Sequence, residues 1–176
     1  MEEPPAAPPL PPPPPAAAQP VPIGFRNPLA FRIGFLSALL SLLFTILLTP
    51  AFPVWLIAAG FLGVYLYHRR SGESLSTRSG VKMGWLTGLL TFLVYSLPAM
   101  FAYVGEITSP EHAKLMRQQL SSWAFPAAAQ DNMIALMQTP LGISLQVLML
   151  LTVLFVLLTL LPLLGGVAAA KMLGRK

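Results

Sequence analysis

The chain has 176 residues, of which 55% are hydrophobic and 10% charged, and its net charge is +5. A soluble domain carries about 25% charged residues, so this composition, with a mean hydropathy of +0.70, excludes an ordinary soluble globule and predicts a membrane protein. The absence of cysteine excludes disulfide frameworks, thiol nucleophiles and cysteine-based zinc sites.

The first segment, "MEEPPAAPPLPPPPPAAAQPVP", is mostly proline and alanine. Proline fixes φ and lacks a backbone donor, so residues 1–25 are expected to be a disordered tail with polyproline II bias. The segment lacks the basic start and following apolar run of a signal peptide. Two readings of it stand side by side, a flexible spacer and a docking peptide for an aromatic-lined groove on a cytoplasmic partner.

Four apolar stretches follow in residues 26–176, with helices expected over about 29–49, 51–68, 82–104 and 143–170. A hydrocarbon core about 30 Å thick needs ~20 helical residues, which the first, third and fourth supply. The second is short and ends at His68-Arg69-Arg70. It either spans with local bending of the bilayer or lies re-entrant or along the interface. Pro50 and Pro53 predict a tight turn between the first two stretches.

If all four span, Arg26, Arg32, Arg69, Arg70, Arg78, Lys82, Lys171, Arg175 and Lys176 fall on one side, and Lys114 and Arg117 on the other. Nine against two is a positive-inside pattern that places both termini in the cytoplasm of a bacterial inner membrane. Arg69, Arg70, Lys82 and Lys171 are then topology anchors at the level of anionic headgroups, and the basic charge needs no nucleic acid to explain it.

The stretch "SGVKMGWLTG" places Gly80, Gly84 and Gly88 four apart. A phosphate-cradling loop would follow a strand and end in Lys-Ser or Lys-Thr, which this stretch does not. On a helix the three glycines share one face, where another helix can approach closely, as helices in lipid do. Gly60 and Gly63, with Ala59, predict a similar face on the second helix. Ser37, Ser41 and Thr45 form a hydroxyl stripe on the first, and Thr152, Thr159 and Gly166 recur by seven on the fourth. These faces serve packing within the chain or between copies, and the spacing alone does not choose. Pro162 predicts a kink beside Gly165 and Gly166.

The connection over residues 105–142 is the long one. "SPEHAKLMRQQLSSW" predicts an amphipathic helix over about 110–124. Ser109 is its cap, Pro110 sits in its first turn and Glu111 meets the positive end of its dipole. Met116, Leu120 and Trp123 recur at helical spacing, with Trp123 expected at headgroup depth. Asp131 is expected to cap a short second helix over residues 132–138. The connection reads either as a lid on the bundle or as a functional loop.

No Asp, Glu, Lys or His falls in the middle of an apolar stretch, and proton-coupled transporters usually carry such a residue. Ser37, Ser41, Ser96 and Ser144 have no base at their depth, and His68 and His112 fall on opposite sides. The expectation is therefore a non-enzymatic protein without cofactor or metal, binding the bilayer and a membrane-protein partner or a second copy of itself. The alternative is a passive channel or carrier subunit, with Ser37, Ser41 and Thr45 facing Thr87, Thr91 and Thr152.

The proline-rich stretch Pro4 to Pro22 and the hairpin "GFLGVYLYHRRSGESLSTRSGVKMGWLTG", Gly60 to Gly88, resemble uncharacterised small bacterial membrane proteins that join a proline-rich cytoplasmic lead to about four spans. Some proteins of that look begin with a cysteine-rich zinc ribbon, which this chain lacks. The resemblance implies a membrane bundle without an activity; with the apolar stretches and the proline-rich segment, the fold expected is an all-α integral membrane four-helix bundle with a disordered tail.

Overall fold

The computed structural model describes residues 22–47, 51–72, 76–123 and 125–174. The proline-rich tail lies outside the described residues, apart from its last few positions. Among the described residues the protein is all-helical, with α1 (Pro28–Leu47), α2 (Phe52–Ser71), α3 (Thr77–Ile107), α4 (Pro110–Ser122), α5 (Ala127–Met137) and α6 (Pro140–Leu173).

The helices start where a polar side chain can hold a free backbone N–H. Asn27 Oδ1 accepts from the N–H groups of Leu29 (3.1 Å) and Ala30 (3.2 Å) and opens α1, with Pro28 as its first residue. Ser76 caps α3, Ser109 caps α4 and Thr139 caps α6 in the same way. α2 ends at Gly72, whose φ of 69° is left-handed and whose N–H returns to the His68 carbonyl.

α1, α3 and α6 are long and apolar enough to cross a membrane. At ~1.5 Å per residue the 20 residues of α1 span about 30 Å, and the 31 of α3 and 34 of α6 span about 46 and 51 Å. The last two thus run three to five residues past the bounds expected from hydropathy at each end. Apolar content marks only the middle of each helix, whereas the Ser76 and Thr139 caps begin them five and three residues earlier than expected. α2 has the length, but its closing His68-Arg69-Arg70 lowers its hydropathy below that of the other three.

α1 and α3 run parallel, and α2 and α6 run the opposite way. Asn27 donates to the Tyr67 hydroxyl at one end of the α1–α2 pair, while Phe44 stacks on Trp55 at the other. Gly34 of α1 faces Thr87 and Leu90 of α3, and seven residues on Ser41 meets Tyr95. One core cluster joins Ile33, Val64, Tyr67, Met83, Leu86 and Ala170, and a second at the far end joins Leu56, Tyr95 and Leu158.

α4 and α5 form a cap at the end of the bundle where α3 stops and α6 starts. Ile107, Leu120 and Ile134 are buried there, and Gln146 Nε2 donates to the Met137 carbonyl. The second helix of this cap begins at Ala127, not after Asp131. The run Ala127–Ala129 is helical from Pro126 onward, and Asp131 sits inside α5 paired with Arg117 at 3.1 Å. Trp123, at the C-cap of α4, is exposed, whereas Leu120 three residues earlier is buried.

Candidate functional site

Backbones approach closely along the seam where α6 lies against α3 and α2. Gly80, Gly84 and Gly88 all turn towards α6. A Cβ on Gly84 would stand 2.8 Å from the Pro162 carbonyl oxygen and 2.9 Å from Leu163 Cα. One on Gly88 would stand 2.9 Å from the Leu158 oxygen. One on Gly80 would overlap Ala170 Cβ and lie 2.7 Å from the Gly166 oxygen. Glycine is needed along this line because the space that a side chain would occupy is filled by the neighbour's main chain.

α6 answers with its own small residues. Gly166 meets Gly84 Cα, with a Cβ there at 2.9 Å, and a Cβ on Gly165 would overlap the Ile57 carbonyl of α2. Gly60 faces the main chain of Pro162. The proline is thus more than a break in the α6 hydrogen-bond ladder: its main chain meets glycines from two helices. The spacing Pro162, Gly165, Gly166, Ala169, Ala170 follows the i, i+3, i+4 pattern of a helical face. That pattern is the signal by which the sequence marks α6 as the partner of the Gly80–Gly88 face.

Gly63 belongs to a different junction. A Cβ there would stand 2.8 Å from Thr87 Oγ1 and 3.6 Å from Ser37 Oγ, so it faces hydroxyls of α3 and α1 and not α6. Ser37 and Thr87 are fully buried, and neither hydroxyl has a partner among the described residues. One helical turn further along, the polar groups are satisfied. The Tyr95 hydroxyl lies 2.8 Å from Thr45 Oγ1 and 3.4 Å from Ser41 Oγ, and Ser41 also reaches the Trp55 carbonyl at 3.5 Å. These contacts tie α1, α2 and α3 together with modest bonds.

The hydroxyl stripe therefore faces inward, against α2 and α3. Thr91 is buried with it and donates to the Thr87 carbonyl (2.8 Å). Thr152 departs from the expected arrangement: it is exposed on α6, donating to the Leu148 carbonyl, although it lies two turns before the buried Thr159 on the same helical face.

The four expected anchors gather at one end of the bundle. Arg69 and Arg70 close α2, Lys82 lies in the second turn of α3, Lys171 lies in the last turn of α6, and all are exposed. Arg26, Arg32 and Arg78 join them, also exposed, so that this end carries seven basic residues among those described. The other end carries Lys114 and Arg117 with Glu106, Glu111 and Asp131. His68 lies at the first end and His112 at the second, so no site joins them. Among the described residues no group of three or more His, Asp or Glu side chains is placed to hold a metal.

Between α1 and α2 on the outer surface lies a cleft of about 480 Å³. Its walls are Leu40, Phe44, Val54, Trp55, Ile57 and Phe61, with Ser37, Ser41, Ala58 and Ala59 among the small residues. No ionisable side chain lines it. No spacing in the sequence marks this cleft, because it arises where small residues on two adjacent helices leave space beside the large Phe44–Trp55 pair.

Compared with protein-family models, curated proteins and solved structures, the chain matches none.

Proposed function

We propose that the chain is a non-enzymatic integral protein of the bacterial inner membrane. It forms a four-span bundle with both termini cytoplasmic, and it works as a binding or assembly component for a membrane-protein partner or a second copy of itself. The observation that carries this reading is the division of the bundle surface. Long apolar helices expose Leu, Phe, Val and Met side chains along their length, while seven basic residues stand at one end and the mixed-charge cap of α4 and α5 at the other. A surface of that kind suits a hydrocarbon slab with its positive side inward.

The direction of the helices supports α2 as the fourth span. α1 and α3 are parallel, so if both cross from the basic end, the chain must return between them, and α2 is the returning segment. Arg69 and Arg70 then reach the inner headgroups from the end of α2. Binding, and not chemistry, is the reading of the sites because the seam residues are glycines, alanines and a proline, none of which can move a proton or form a covalent intermediate.

The test is native mass spectrometry of the protein extracted with its lipids, with and without residues 1–22. A stoichiometric protein partner, or a defined number of copies, is expected for the whole chain, and loss of the partner on removing the tail assigns recruitment to it. A monomer with no protein bound in either form would remove the binding role. Extraction of the whole chain by alkaline carbonate would remove its membrane placement.

A further inference from the structure

We infer that the outer side of the α1–α3 pair, at the basic end, binds one anionic phospholipid, with its phosphate among Arg26, Arg78 and Lys82 and an acyl chain laid over the aromatic rings beside them. This rests on the membrane placement proposed above and goes beyond it. A topology anchor needs only some headgroup nearby, whereas this site retains one lipid by its charge.

The site begins on α3. Arg78, Lys82 and Trp85 follow one another at i, i+4 and i+7, so they share one side of the helix, and all three are exposed. The chain ahead of α1 is folded into a turn in which the Asn27 N–H donates to the Gly24 carbonyl at 3.0 Å. Phe25, within that turn, meets Trp85 edge-on, with centroids 6.5 Å apart and planes at 78°. Arg26, the next residue, is also exposed. From Phe25 the rings continue along α1. Phe31 lies 6.5 Å from Phe25, and Phe35 lies 6.3 Å from Phe31 with its plane tilted by only 4°. All four rings are exposed by 39–53%. Basic side chains thus border a strip of rings that runs along α1 towards the middle of its apolar stretch.

Two observations choose the occupant. The first is charge. None of the three cations has an ion-pair partner among the described residues, and the described acidic residues, Glu106, Glu111 and Asp131, all lie at the opposite end. Such a cluster attracts an anion, and at the inner surface of a bilayer the anion at hand is a lipid phosphate. The second is the strip of rings. A free phosphate or a soluble polyanion would use the cations and leave the rings uncovered, whereas an amphiphile uses both. A zwitterionic lipid brings a quaternary or primary ammonium group that the same cations repel. An anionic headgroup above an acyl chain therefore fits both parts of the surface.

Trp85 is the reporter once Trp55 and Trp123 are replaced by phenylalanine. The protein is reconstituted in phosphatidylcholine nanodiscs holding a minor fraction of phosphatidylglycerol. In one set the phosphatidylglycerol carries brominated acyl chains, and in the other an equal amount of the phosphatidylcholine does, bromine being a quencher of tryptophan. Brominated phosphatidylglycerol is expected to quench as if enriched at Trp85 by about tenfold, the worth of one or two basic contacts. Arg26→Gln with Lys82→Gln should bring the two lipids to parity. Arg69→Gln with Arg70→Gln, which removes the same charge from α2, should leave most of the preference. Equal quenching by the two lipids around unaltered Arg26, Arg78 and Lys82, or equal loss with either pair of substitutions, overturns the inference. Displacement by inorganic phosphate in the buffer would assign the cations to a free anion and overturn the lipid as occupant. Native mass spectra of the unaltered chain should show retained phosphatidylglycerol, and retained phosphatidylcholine in its place would overturn the site without any variant having to fold. A protein that stays soluble and does not enter nanodiscs fails the membrane reading and this site with it. One that enters and shows no preference fails this site alone.

Discussion

Gly60 and Gly105 both sit inside long helices, yet a methyl group is expected to act on them in opposite directions. At Gly105 nothing lies within 4 Å of the new carbon, so Gly105→Ala should gain helix propensity and raise stability by about 0.5–1 kcal/mol. At Gly60 the carbon would overlap the main chain of Pro162, which cannot rotate away, and Gly60→Ala should lower stability by about 1–3 kcal/mol. Gly63→Ala falls between, because its near neighbour at 2.8 Å is the Thr87 hydroxyl, a side-chain atom that can turn aside. Thermal unfolding of the three variants in one detergent checks the order, and a Gly60→Ala protein as stable as wild type removes the seam from the account. Gly84→Leu, which must push past Pro162 and Leu163, should lower the melting temperature further still. The glycine spacing was legible in the sequence as a helix face. The direction each glycine faces was not, since that depends on which helix arrives, and Gly63 meets hydroxyls where its neighbour Gly60 meets backbone.

The elements themselves follow from local chemistry once the caps are read with the apolar runs. Asn27-Pro28, Ser109-Pro110 and Thr139-Pro140 each pair a capping side chain with a proline that needs no hydrogen-bond partner for its nitrogen. Of these, Ser109 was visible as a cap from the sequence, and Thr139 was hidden because Pro140 also reads as the end of the preceding helix. Asp131 was misread for the opposite reason: a good capping residue lies inside a helix that alanines had already begun. Ser109→Ala is expected to cost α4 about 1 kcal/mol, seen as faster amide exchange at His112, whose N–H lies 3.2 Å from the serine oxygen, with α3 and α6 unchanged. Asp131→Ala, which removes an ion pair more than half exposed on both sides, should leave stability within about 0.5 kcal/mol. Global unfolding by either change would mean that the cap is part of the bundle core.

For the molecule as a whole, the arrangement of four helices gives an ordered set of sides. A chain with no native cysteine permits single-cysteine labelling without further engineering. In intact cells an impermeant maleimide is expected to label Ala51→Cys and Ser121→Cys, and to label Thr77→Cys only after the membrane is opened. Labelling of Ala51→Cys and Thr77→Cys from the same side would mean that α2 does not cross. Hydropathy made the long apolar helices legible, and three of them are long and apolar enough to cross a membrane. It left the mutual placement of the helices open, since three of the four core helices are apolar all round and present no single face by polarity. What selects the face is size, through Gly84, Gly166 and Pro162, and size is read poorly by any scale of polarity.

The position of α6 also bears on how the protein is made. Synthesis runs from the N-terminus, so α2 and α3 leave the ribosome well before the helix that both of them receive. In the proposed bilayer, until Pro140–Leu173 arrives, Gly60, Gly80, Gly84 and Gly88 would present open backbone to lipid, with the hairpin held by its less extensive contacts with α1. On that placement the nascent chain would be an unfinished substrate for quality control until its last helix docks. Stopping translation after Thr139 is expected to yield an inserted protein with a half-life several-fold shorter than that of the full chain in a pulse-chase experiment. Supplying residues 140–176 as a separate membrane segment should restore its lifetime. A truncated chain as long-lived as the whole would show that the first three helices close the seam without it.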